Sequence, residues 1–165
     1  MQATPKYPAA ITIDLPDEAA TAALARHLAP ALRFGDVIAL HGDLGAGKTA
    51  FARALIRALA GTDEEVPSPT FTLVQSYDAP VGRIFHFDLY RIANPDELIE
   101  IGWDEALADG LVLVEWPERA GLRLPTARFD IDFTFGASPG ARQARLRPPA
   151  DRWDAAALQR VLGIE

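Results

Sequence analysis

With 165 residues, 49% of them apolar and 24% charged, the chain has the composition of one globular domain large enough to bury a core. It has no cysteine, which excludes disulfides and thiolate metal sites. The formal net charge of −7 divides into −10 over residues 1–118 and +3 over residues 119–165, and so acidic a body argues against independent binding to DNA or RNA. Neither a secretory signal nor a run long enough to span a membrane is visible, so the expectation is a soluble, cytoplasmic protein without membrane contact.

Residues 1–10 read as a loose leader to a single domain covering 1–165. Ile11 to Leu15 alternates like a strand. Pro16-Asp17-Glu18 then opens a helix whose acids suit its first turn, with Leu24, Leu28 and Leu32 on one face and Pro30 ending or kinking it. His27, near that face, reads as structural. Val37 to His41 is a short apolar run of the kind a buried parallel strand shows. It leads into Gly42-Asp43-Leu44-Gly45-Ala46-Gly47-Lys48-Thr49, a full match to the P-loop pattern G-x-x-x-x-G-K-[ST].

Phosphate binding needs those residue types at that spacing. The glycines let backbone N–H groups turn inward, where side chains would block the anion. Lys48 can reach the terminal phosphates and Thr49 can offer its hydroxyl to Mg²⁺. The following helix, with Phe51, Ala54, Leu55, Ala58 and Leu59 on one face, points its positive end at the site and stops at Gly61.

Pro67 to Tyr77 reads as an extended segment leading into a strand, Asp78 to Gly82 as a hairpin turn, and Arg83 to Leu89 as a second strand. Its alternation of Ile84 and His86 with Phe85 and Phe87 suits an antiparallel pair, and His86 to Arg91 crowds polar groups at its end. Asn94 to Glu97 starts a helix that breaks at Gly102, and residues 103–109 form another. Leu111 to Val114 is the second buried run, ending at Glu115. Residues 127–135 and 141–147 alternate as two more strands, and 154–162 form a closing helix. The fold class is therefore α/β: a mixed, mostly parallel sheet with antiparallel hairpins, flanked by helices.

A P-loop works with an acid at the end of a neighbouring strand. Two acids compete for that place: Glu115, after four apolar residues, is assigned to the metal, and Asp88, placed on the sheet's antiparallel side, to positioning water or to supporting the metal's ligands from outside. Thr70, in Ser68-Pro69-Thr70, resembles a switch residue that reports the γ-phosphate. Trp116 can stack on adenine, close the site or serve the core. Arg91 can stabilise transferred charge or form a surface ion pair. The arginines after residue 118 either face an acidic partner or line a solvated surface.

The runs GDLGAGKT (42–49), SPTFTLVQ (68–75), HFDLYR (86–91) and LVEWPE (113–118) resemble the TsaE family, also called YjeE. The resemblance implies a small P-loop ATPase using ATP and Mg²⁺. It further implies work with TsaB and TsaD in placing threonylcarbamoyl on the adenosine beside the tRNA anticodon, with tRNA met through that complex. Carried over by position, the nucleotide falls on Asp43, Gly45, Ala46, Gly47, Lys48, Thr49 and Ala50, the metal on Thr49 and Glu115, and catalysis on Lys48, Thr70 and Asp88. Trp116 becomes the nucleotide-side tryptophan, and looser matches add Glu18 and Arg142. The chain departs from the family at Ala50, where a second Thr is common. Two other readings stand beside this one: a small-molecule P-loop kinase clamping a second phosphate with Arg91 and the late arginines, and an ATP-gated scaffold with little hydrolysis. A GTPase lacks its N-K-x-D signature here.

Overall fold

Seven strands form one sheet in the order β1-β7-β6-β2-β5-β4-β3. In a computed structural model that describes residues 10–63, 66, 67, 69 and 71–164, they are β1 (Ile11–Leu15), β2 (Val37–His41), β3 (Val74–Ala79), β4 (Gly82–Asp88), β5 (Gly110–Glu115), β6 (Phe129–Phe135) and β7 (Arg142–Arg147). The helices are α1 (Glu18–Leu28), α2 (Lys48–Ala60), α3 (Trp103–Asp109) and α4 (Ala155–Leu162). The four central strands, β6, β2, β5 and β4, run parallel, and antiparallel partners close both margins. Burial explains that division. Every residue of β5 is buried, as a strand covered on both faces must be.

One face is packed by α1, α2 and α4, with Phe51, Leu55, Ile38, Leu40, Leu113, Ile131 and Leu158 fully buried between the layers. Side chains of this kind contribute roughly 1.5–3 kcal/mol each on full burial. Among the described residues, the other face is covered only over β2, β5 and β4, where α3 and two 3-10 turns, Pro95–Ile99 and Pro117–Arg123, enclose Trp103, Phe87, Val112 and Val114. Trp103 meets Phe87 edge-on at 4.9 Å, and its indole N–H donates to the Arg123 carbonyl at 3.1 Å. Beyond that cover, the same face of β1, β7 and β6 carries Thr12, Asp14, Gln143, Arg145, Arg147, Asp132 and Thr134, all exposed or half-buried. Arg147 pairs there with Asp132 at 2.8 Å, and Gln143 donates to Asp14 at 3.0 Å. An antiparallel margin can leave one face to water in this way.

The helix ends follow their sequence signals. Asp17 caps α1, accepting from Ala20 N at 2.8 Å, and Asp154 caps α4, accepting from Ala157 N at 2.6 Å. Pro30 closes α1 into a 3-10 turn over Ala29–Ala31 rather than kinking it. Asn94 and Glu97 form a reciprocal capping box, but the turn that follows is 3-10 rather than α. His27 is exposed on α1, with Nδ1 2.8 Å from the Ala23 carbonyl.

Two expectations change. The strand expected within Pro67–Tyr77 begins only at Val74 and runs to Ala79, so the hairpin turn is Pro80-Val81 rather than Asp78–Gly82. Leu73 causes the delay. Its backbone is left-handed (φ 66), and its N–H closes a turn onto the Pro69 carbonyl at 2.7 Å. Secondly, β4 is not confined to an antiparallel side. It pairs antiparallel with β3 and parallel with β5, and this sets Asp88 directly opposite Glu115. Its alternation misleads because His86 is as buried as Ile84.

Candidate nucleotide site

The carboxyl ends of β2, β5 and β4 lie side by side, and each delivers polar groups to one place. From β2 the chain turns at Gly42, where a Cβ would stand 2.6 Å from the Phe133 carbonyl oxygen, so only glycine lets the loop pass β6. The loop then enters α2, whose first residues are Lys48 and Thr49. From β5 comes Glu115 and from β4 comes Asp88, both buried. This is the edge at which open α/β sheets bind ligands.

Thr49 Oγ1 donates to Glu115 Oε1 at 2.6 Å. The second carboxylate oxygen, Oε2, lies 2.7 Å from His86 Nε2. Asp88 Oδ1 accepts the backbone N–H of Tyr90 at 3.0 Å, and the backbone N–H of Asp88 donates to the Leu73 carbonyl at 3.0 Å. Lys48 is folded back into its own loop: Nζ donates to the carbonyls of Gly42 and of Asp43, the latter at 3.0 Å, and lies 4.1 Å from the centre of the Trp116 ring. Burial pushes the Lys48 ammonium below the ordinary lysine value of 10.5, against the opposing pull of Glu115, Glu118, Asp88 and Asp43. A partly desolvated cation beside inward-facing backbone is what an arriving phosphate neutralises.

Two hollows flank the loop. One of about 380 Å³ is lined by Lys48, Thr49, Asp88, Glu115, Tyr90 and Trp116. The other, of about 370 Å³, is lined by Glu18 and Thr21 of α1, Gly45, Ala50, Gly140 and Arg142. The fold thus brings the looser candidates Glu18 and Arg142 to the loop, on the side away from the acids. Arg142 is already engaged, donating to the Gly45 carbonyl from Nε at 3.2 Å and from Nη2 at 2.9 Å. Ala46 is buried under the loop, whereas Asp43 and Gly45 are exposed along it. Trp116 faces Lys48 and packs on Tyr90, ring centres 4.9 Å apart, so it belongs to the first hollow. Ser68 and Thr70 lie outside the described residues.

Among the described residues, Leu73 and Trp116 are the two non-glycine residues with positive φ, at 66° and 56°. Such backbone costs of order 1–3 kcal/mol and collects at functional sites. Here Leu73 holds the backbone of Asp88, and Trp116 directly follows Glu115.

Whether Mg²⁺ fits is answered by the donors. Among the described residues no three His, Cys, Asp or Glu side chains gather for a metal. A Thr hydroxyl and a carboxylate, both hard oxygen donors and already in contact, suit an ion that keeps most of its shell for water and phosphate. Sequence reasoning gave no role to His86 or Tyr90. Both stand in the His86–Arg91 run, and the two-residue period of β4 that sets His86 on the face of Asp88 was the available signal.

Comparison with known proteins agrees with this architecture. Residues 15–144 match the family model "Threonylcarbamoyl adenosine biosynthesis protein TsaE". Relatives named tRNA threonylcarbamoyladenosine biosynthesis protein TsaE include one from Rickettsia conorii, 46% identical over 63% of this chain and 59% of its own length. Another, from Nostoc, is 38% identical over 82% of this chain and 85% of its own. The chain spans about three fifths of the length of the Rickettsia conorii and Rickettsia felis relatives. The crystal structure of Bacillus subtilis YdiB superimposes with a TM-score of 0.73 at 27% identity, covering 93% of this chain and 94% of that one.

Proposed function

The chain belongs to the TsaE family, and from that premise we propose that it is a Mg²⁺-dependent ATPase serving tRNA threonylcarbamoyladenosine formation through a TsaB–TsaD complex. The observation that carries the reading is the 2.6 Å contact of Thr49 with Glu115 beside the buried ammonium of Lys48, at the carboxyl edge of a parallel sheet. When bound, Mg²⁺ would supply charge neutralisation across the phosphates, held by Thr49 and Glu115.

The remaining work falls to the chain. Backbone N–H groups from Gly45 to Thr49 cradle the phosphates, and Lys48 exchanges its loop carbonyls for phosphate oxygens. The base and ribose take the second hollow, against Glu18 and Arg142. In the first hollow the Asp88 carboxylate orients a water for attack on the γ-phosphorus, whose bond to the bridging oxygen breaks. Thr70 senses the γ-phosphate. Two nucleotide states can do work only by binding a partner differently, and TsaB–TsaD is the partner proposed.

The kinase reading has less support, because several of its clamps are already engaged by other groups of the chain. The Arg91 guanidinium lies over Phe71 at 4.7 Å. Several late arginines are likewise tied to the fold: Arg123 to Asp96, Arg128 to Asp130 and Arg152 to Asp36.

Phosphate release measured with purified TsaB and TsaD titrated in, alongside threonylcarbamoyl-tRNA formed over many turnovers, tests the proposal. Turnover should be slow for the isolated chain and rise with partners, with Lys48→Ala as the blank. Unchanged rate and unchanged turnover number would reject it.

A further inference from the structure

His86 has no exposed surface and lies on the same face of β4 as Ile84, which belongs to the core packed by α1, α2 and α4. Its Nε2 meets Glu115 Oε2 at 2.7 Å, and its Nδ1 is buried with no hydrogen-bond partner among the described residues. A polar atom stranded in this way costs about 1–3 kcal/mol, which an apolar residue of similar volume avoids. Packing therefore does not account for a histidine here. What the ring provides lies wholly at Nε2.

That nitrogen completes a grip on one carboxylate from three elements. β5 carries Glu115, α2 presents the Thr49 hydroxyl to Oε1, and β4 presents His86 to Oε2. A neutral ring can donate to the carboxylate from this position only as the Nε2–H tautomer, and this leaves Nδ1 as the bare nitrogen. The carboxylate is then fixed in plane and rotamer before any cation arrives, and the Thr49 hydroxyl, donating to Oε1, keeps its lone pairs free.

We propose that His86 is the positioning residue of the cation site: it locks the Glu115 carboxylate in the orientation shared with Thr49, and so sets divalent-cation affinity without touching nucleotide or metal. The inference rests on the nucleotide-site reading above. Hydrogen-bonded neighbours of metal-binding groups typically change metal affinity 10–100-fold when removed.

The test is Mn²⁺ binding followed by electron paramagnetic resonance on the ADP complex, beside ADP binding measured without metal. His86→Leu should weaken Mn²⁺ by about 10–100-fold and leave metal-free ADP affinity unchanged. His86→Gln, whose amide N–H₂ reaches toward the lost Nε2 position, should recover most of the loss. Wild-type Mn²⁺ affinity in His86→Leu, or no recovery in a folded His86→Gln, overturns the proposal. Should His86→Leu fail to fold, ¹⁵N spectra of the wild type decide: a hydrogen-bonded Nε2–H tautomer supports it and an Nδ1–H tautomer overturns it. Wild-type protein that binds no ADP at all defeats the nucleotide-site reading, and this proposal with it.

Discussion

The ammonium of Lys48 lies 4.1 Å from the centre of the Trp116 ring, while donating to carbonyls of its own loop. A phosphate entering the loop competes with the ring for that charge, a contact of about 0.5–2 kcal/mol. ADP or ATP should therefore change the emission of Trp116, whereas Trp103 and Trp153, both buried outside the hollow, stay constant. In Trp116→Phe the optical change should vanish while the nucleotide-induced rise in Tm persists. An undiminished signal in that variant would locate the reporter elsewhere.

Glu115 and Asp88 stand opposite each other on neighbouring strands yet should separate in function. Glu115→Ala should make nucleotide binding much less dependent on Mg²⁺. Asp88→Ala should spare ADP affinity and abolish turnover, a loss of about 10²-fold or more in kcat. Calorimetric titrations with and without Mg²⁺, beside single-turnover hydrolysis, read both. The opposite pattern would exchange the two assignments.

Asp130 is the acid whose titration the fold should feel. Burial raises its carboxyl pKa, but hydrogen bonds from His41 and Arg128 outweigh this and hold it below the usual 3.8. A depressed carboxylate stabilises the fold fully above its unfolded pKa, and that contribution is lost as pH falls through the folded value. Asp130→Asn should cost about 1–3 kcal/mol near neutral pH, leaving two donors poorly paired. The gap from wild type should close in acid. Urea midpoints across the acid range measure it, and a gap that widens in acid contradicts the sign.

Gly110 opens β5 where a Cβ would lie 2.1 Å from the Arg83 carbonyl oxygen. Because that oxygen belongs to the neighbouring strand's backbone, Gly110→Ala must push β4 and β5 apart. A loss of about 3 kcal/mol is expected in denaturant unfolding, the upper range for overpacking. An unchanged midpoint would mean that the two strands are not so closely apposed.

Much of this was readable in the chain because it is local. Val37 to His41, the glycine loop and the α2 face announce their own structure, as does the apolar run that ends at Glu115. What escaped is set by partners far away in sequence. β4 shows the alternation of a half-covered strand, yet His86 is buried because Glu115 awaits it 29 residues later. Arg142 is reached only through the family resemblance, since nothing local shows that β7 brings it to the carbonyl of Gly45, 97 residues earlier. The delayed start of β3 depends on the left-handed turn at Leu73, a conformation that a leucine does not advertise.

The uneven cover of the sheet has a consequence for how the molecule opens. β5 lies between two packed layers, whereas β1, β7 and β6 have helices on one side and a charged, wetted surface on the other. Local opening is easiest where few apolar contacts must be broken. In deuterated solvent, amides should exchange first in β1, which ends the strand order among the described residues, then through β7 and β6, and last in β5. The strand that carries Glu115 is thus the slowest clock in the protein, and it keeps the site assembled while the arginine-lined margin breathes.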